Sequence, residues 1–158
     1  MDLNLLSSKI IKAAIRIHKE LGPGLLESVY QTCMIIELEH MGLTVQGEKV
    51  CPVIYRGQEI NDQGFRLDLL VEDTVIVELK SVKMIKDVHK KQLLTYLRLT
   101  GKPLGLLINF NEALLKNGIK RVINKNISHR GRRATWTISL YRGFQKLRRT
   151  EDVTHLNS

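Results

Sequence analysis

The chain is poor in the residues that staple, kink or anchor a protein. Its two cysteines, Cys33 and Cys51, stand apart in helix-like and strand-like surroundings, which excludes a disulfide framework or a cysteine-rich zinc site and predicts two buried thiols. Prolines number three, and no low-complexity block or internal repeat is present. Nothing approaches the roughly twenty consecutive apolar residues that span a bilayer. The opening "MDLNLLSSKIIKAAIRIHKE" lacks the apolar run and small-residue cleavage site of a secretory leader, so a cytoplasmic protein without a membrane partner is expected. Aromatic residues make up 5%, yet 43% hydrophobic and 26% charged residues are the balance of a soluble globular chain. Acid is missing from one long stretch: Arg121 to Arg149 holds nine Lys or Arg and no Asp or Glu, so the net charge of +9 is a local feature. A segment of that kind favours a polyanion or is simply a solvated tail.

What is present reads as one domain, residues 1–125, followed by a basic extension, residues 126–158. Ile10, Ile11, Ala14, Ile15, His18 and Leu21 recur at helical spacing after a cap at Asn4 or Ser7, and "GPG" at Gly22–Gly24 ends that helix. A second helix is predicted from about Leu26 to Met41, closed by Gly42. Leu43 to Ile60 turns to β-branched residues with Pro52 and an Arg56-Gly57 turn, the pattern of an edge or bulged strand. Strands at Phe65–Val71 and Val75–Lys80 flank the acidic turn Glu72-Asp73-Thr74. A helix over Asp87–Gly101, a buried strand at Leu104–Phe110 and a last strand near Gly118–Ile123 complete the order. The order is α, α, β, β, β, α, β before that last strand.

The hairpin carries the chemistry. With the turn centred on Asp73, Asp68 faces Glu78 and Arg66 faces Lys80. Alternation sends Arg66, Asp68, Leu70, Ile76, Glu78 and Lys80 to one face and Leu67, Leu69, Val75, Val77 and Leu79 to the other. Two ionised carboxylates this close repel unless one is protonated or a cation lies between them. Mg²⁺, with oxygen ligands at about 2.1 Å and several retained waters, resolves that conflict with Asp68, Glu78 and a backbone carbonyl such as that of Leu79. Lys80 then orients or deprotonates an attacking water and offsets charge developing on phosphorus. The alternative that spacing permits is a cross-strand ion cluster of the acids with Arg66 and Lys80.

On the third helix His89, Gln92 and Tyr96 form a polar stripe that fits either a cleft or an ordinary solvated face with a half-buried Tyr. Glu27 opens the second helix, where the dipole favours an acid in any case. His18, on the apolar side of the first helix, reads as a core histidine.

"GPGLLESVY", with Gly24, Glu27 and Tyr30, resembles the pattern that names the GxxExxY protein family, and "RLDLLVEDTVIVELK" resembles the D…ExK core of the PD-(D/E)XK nuclease superfamily. "QLLTY", Gln92 to Tyr96, is similar to the QxxxY motif of its RecB-like and Cas4-like branch. The resemblance covers about Ser8 to Lys125. It implies an α/β fold with a restriction-endonuclease-like αβββαβ core, a central mixed sheet flanked by helices, and an extra helix at the N-terminus. It also implies Mg²⁺ or Mn²⁺ held by Asp68 and Glu78 with Glu27 from the helix, Lys80 as catalytic lysine, and Gln92 with Tyr96 on the substrate side. The expected function is a metal-dependent nuclease acting on DNA. Arg66, Gln92, Tyr96, Arg130, Arg132, Arg133 and Trp136 are the expected nucleic-acid contacts. A non-catalytic nucleic-acid-binding or regulatory protein that keeps the nuclease fold is the alternative.

Overall fold

A computed structural model of the protein describes residues 1–60 and 64–127. Arg130, Arg132, Arg133 and Trp136 lie outside the described residues.

Two helices come first, α1 at Leu3–Leu21 and α2 at Glu27–His40. The cap of α1 is Asp2, whose carboxylate accepts from the Asn4 N–H at 2.7 Å, earlier in the chain than either Asn4 or Ser7 would place it. Strand β1 (Val45–Cys51) leads into a small hairpin, β2 (Ile54–Tyr55) and β3 (Gln58–Glu59), that pairs with itself alone. Strand β1 lies at the edge of the sheet, as expected; Pro52, which has no N–H to donate, follows its end, and the expected Arg56-Gly57 turn closes the separate β2–β3 hairpin. Then follow β4 (Phe65–Val71), β5 (Val75–Lys80), α3 (Asp87–Thr100), β6 (Leu104–Asn109), a short 3₁₀ turn at Leu115–Gly118 and β7 (Ile119–Ile123).

The five long strands form one mixed sheet in the order β1-β4-β5-β6-β7, in which only β5 and β6 run parallel. Every residue of β6 is buried, as a strand covered on both faces requires. On one face, Leu6, Ile10, Ala13, Ala14 and Ile17 of α1 and Tyr30, Met34 and Leu38 of α2 pack on Leu69, Val71, Val75, Val77 and Leu79. On the other, Leu93 and Leu97 of α3 pack on Leu67, Leu70, Ile76 and Leu107. Each of these fully buried leucines contributes about 1.5–3 kcal/mol relative to exposure. Gly105 permits that contact, since a Cβ there would lie 2.8 Å from the Leu93 side chain. This is the expected α/β architecture: a central mixed sheet flanked by helices, with one extra helix at the N-terminus.

Three expectations meet the structure in detail. Cys33 and Cys51 are only partly buried. His18 is buried as a core residue, its Nε2 lying 2.7 Å from the Glu112 carbonyl oxygen. Alternation along β4 slips at Asp68, because Phe65, Leu67 and Leu70 all pack toward α3 while Leu69 and Val71 pack toward α1 and α2. Leu67 therefore leaves the face on which strict alternation puts it. The slip coincides with a gap in the neighbouring ladder, where β1–β4 pairing passes from Gly47↔Leu69 to Lys49↔Leu67 over an unpaired step at which Glu48 adopts φ +51°.

Candidate active site

Backbone pairing between β4 and β5 covers Leu69–Val71 against Val75–Val77. Beyond it, side chains take over the backbone's hydrogen bonds. The Leu79 N–H donates to Asp68 Oδ2 at 2.8 Å, and the Asp68 N–H donates to Glu78 Oε1 at 3.4 Å. A residue in a strand aims N–H and C=O to the same edge, so the Leu79 carbonyl faces the same opening. The two acids thus stand where the sheet begins to part, held by main chain on both sides.

Glu78 is only 6% exposed, and its carboxyl is pushed up to about 8, first by burial and then by the Asp68 charge it touches. Asp68 is raised as well, again mainly by burial, with the Leu79 N–H and the Lys80 charge opposing the rise. Among the described residues no ion pair involves Asp68, Glu78 or Lys80. Arg66, expected opposite Lys80, instead pairs with Glu48 at 3.0 Å, so the cross-strand ion cluster does not form.

Helix α2 forms the adjoining rim. Tyr30 is fully buried, stacks on Phe110 with ring centroids 4.2 Å apart, and ties the preceding loop by donating to the Gly22 carbonyl at 2.6 Å and accepting from the Leu25 N–H at 3.1 Å. Gly24 supplies the loop's φ of +99°. The motif "GPGLLESVY" is thus in large part a device for presenting the first turn of α2. Glu27 on that turn is exposed, and its Oε1 accepts from the Ser81 N–H at 3.3 Å, while Ser81 Oγ donates to the Leu25 carbonyl at 2.7 Å. One turn on, Gln31 Nε2 reaches Glu48 Oε1 at 2.7 Å and the Asp68 carbonyl at 3.3 Å. An open cleft of about 530 Å³, lined by Gly24 to Ser28, Ser81 and Asn111, adjoins the end of β5.

Helix α3 closes the other side. Tyr96 stacks on Phe65 at 4.4 Å, and its hydroxyl is raised by burial and by the Glu78 and Asp68 charges, while a hydrogen bond with Gln92 opposes the rise. Tyr96 therefore lies within reach of the carboxylate charges, with exposed Gln92 bonded to it rather than to the acids. His89, the third member of the stripe, is instead occupied in capping, its Nδ1 accepting from the Lys86 N–H at 3.1 Å.

Three participants escape a reading of the sequence. Asn109 is fully buried at the end of β6, paired with Lys80; its amide accepts from the Val82 N–H at 3.0 Å and donates to the Val82 carbonyl at 2.8 Å, fixing the chain as it leaves Lys80. Glu48 is held below the usual carboxylate range by hydrogen bonds from Gln31 and Arg66. Gln31 had one available signal, its position one turn after Glu27 on the same helical face.

The donor set fits a hard divalent ion. Two touching carboxyl groups need either a proton or a cation between them, and Mg²⁺ commonly takes only one or two carboxylates, completing its shell with water and substrate phosphate. Glu27 stays apart from the pair: among the described residues no three His, Cys, Asp or Glu side chains gather closely enough to hold an ion. No helix among them is long and apolar enough to cross a membrane.

The family model of the PD-(D/E)XK nuclease superfamily matches residues 4–122 of this chain. No curated protein and no solved structure matches it.

Proposed function

The chain belongs to the PD-(D/E)XK nuclease superfamily, and from that premise we propose that it is a Mg²⁺- or Mn²⁺-dependent phosphodiesterase cleaving nucleic acid, with DNA as the substrate. The Gly24–Glu27–Tyr30 and Gln92–Tyr96 patterns support a place in the GxxExxY family near the RecB-like and Cas4-like branch. The observation that carries the reading is the pair formed by buried Glu78 and half-buried Asp68, unneutralised by any arginine or lysine contact among the described residues and set beside Lys80.

Asp68, Glu78 and the Leu79 carbonyl would hold the ion, with Glu27 reaching it through water from the rim. When bound, the metal supplies Lewis-acid stabilisation of the phosphate and lowers the pKa of water. Lys80 Nζ orients the attacking water and stabilises the charge that builds on the phosphoryl oxygens. Gln92 and the Tyr96 hydroxyl donate hydrogen bonds to the scissile phosphate. Hydrolysis forms one bond from water oxygen to phosphorus, breaks one phosphorus–oxygen ester bond and delivers a proton to the leaving oxygen. Arg66 and the extension from residue 126, through Arg130, Arg132, Arg133 and Trp136, contact substrate outside the reacting centre.

A second reading has its own support: Glu27 is engaged with Ser81 and stays out of the carboxylate pair, as in a nucleic-acid-binding or regulatory protein that keeps the fold without turnover. Incubation with linear and circular, single- and double-stranded DNA and RNA, in Mg²⁺, Mn²⁺ or chelator, separates the two. Metal-dependent cleavage lost in Lys80→Ala supports the enzyme. Silence on every substrate, with binding retained, supports the regulator and sinks the enzyme.

A further inference from the structure

The segment leaving Lys80 breaks a local electrostatic rule. From Lys80 through Lys91 the chain holds five lysines and one acid, Asp87. Lys83, Lys86, Lys90 and Lys91 are all exposed. Lys86 occupies the cap of α3, and Lys90 and Lys91 lie just beyond its first turn, the end of a helix at which cations are unfavourable. An ammonium has no acceptor for the helix's orphan N–H groups, and caps are ordinarily Ser, Thr, Asp or Asn. Lys86 and Lys90 also repel each other at a four-residue spacing, about 6 Å along the axis. Lys90 has a neighbour in Asp87, but at 3.7 Å with the Asp87 side chain 87% exposed, a contact of little weight.

The chain bearing these charges is nevertheless firmly anchored. Val82 is held by Asn109 through both its N–H and its carbonyl, and Ser81 is tied to Leu25 and Glu27. The opposite flank has the reverse character, since the cleft lined by Gly24 to Ser28, Ser81 and Asn111 contains the acid Glu27 and no basic residue. A polyanion is therefore drawn to the α3 flank and repelled from the α2 flank.

We propose that Lys83, Lys86, Lys90 and Lys91 form a track for the phosphodiester backbone of the strand leading into the carboxylate pair. The assignment rests on the nuclease reading for its ligand, but on the lysine cluster for its place. Repulsion among the lysines and with the helix end is relieved when phosphates lie between them.

The test is binding of the full chain to a labelled oligonucleotide in chelator, followed across about 50 to 200 mM salt, a range over which each phosphate contact contributes a slope of roughly 0.7–0.9 in log K against log salt. Changing all four lysines to Gln flattens the slope by about three. Lys86→Ser alone lowers it by about one while raising the melting temperature, because a better cap replaces a worse one. An unchanged slope in the fourfold variant, or no oligonucleotide binding by the unaltered protein, overturns the track. So does a variant that loses binding to anionic vesicles while oligonucleotide binding stays intact. Should the slope change as stated while no substrate is cleaved in Mg²⁺ or Mn²⁺, the track stands and the nuclease reading fails.

Discussion

The Glu78→Gln substitution tests the physical basis of the site without relying on catalysis. The carboxyl, ordinarily near 4.5, titrates at about 8 in the folded protein because burial and the Asp68 charge disfavour its ionised form. Between those values the native state binds more protons at Glu78 than the unfolded chain does, so the contribution of this group to stability is full below about pH 4.5 and is lost as pH rises toward 8. At about 1.4 kcal/mol per pH unit, the interval sets a ceiling of roughly 5 kcal/mol. Lys80 and rearrangement of the pair offset part of that, and we expect about 2–3 kcal/mol of stability to be lost over the window. In the Glu78→Gln variant the side-chain oxygen still accepts from the Asp68 N–H but the group carries no charge, so most of this dependence disappears. Denaturant unfolding in chelator at several pH values, for both proteins, reads the difference directly. Added Mg²⁺ should restore stability at pH 8 to the unaltered protein and not to the variant. Parallel stability curves for the two proteins would refute the argument that Glu78 is buried against Asp68 without a neutralising partner.

Other consequences follow from single contacts. Asp68→Asn retains an oxygen for the Leu79 N–H but removes a charge, so calorimetry should show Mg²⁺ affinity falling by about tenfold or more, with stability within about 1 kcal/mol. Tyr30→Phe keeps the stack on Phe110 and loses both hydrogen bonds to the Gly22–Leu25 loop, a loss of about 1–3 kcal/mol by chemical denaturation. Asn109→Ala leaves the Val82 N–H and carbonyl without their partner, lowering stability by about 2 kcal/mol in the same assay.

Much of the scaffold was legible because periodicity and punctuation agree. Leu93 and Leu97 at a four-residue interval, closed by Gly101 in the left-handed region at φ +67°, define α3 almost to the residue. The turn at Asp73 sets the register of β4 on β5, and Leu69↔Val77, Leu70↔Ile76 and Val71↔Val75 pair as that turn requires. The slip at Asp68 was not legible, since the break in pairing beside it involves Glu48 of a different strand. Arg66 likewise pairs with Glu48 of β1 rather than with a residue of β5, β4 lying between the two strands.

By itself the sequence determined the order of the main helices and long strands, most of the buried positions and the presence of two acids and a lysine on one hairpin, because hydrophobic period and turn chemistry are local properties. The tertiary structure decided that Glu78 is buried beneath the flanking helices with no ion-pair partner among the described residues, that Tyr96 comes within reach of its charge and that of Asp68, and that Asn109 fastens the chain beyond Lys80. Those relations join residues far apart in the chain, and each depends on how the sheet parts and how the helices cover it, which no window of sequence contains.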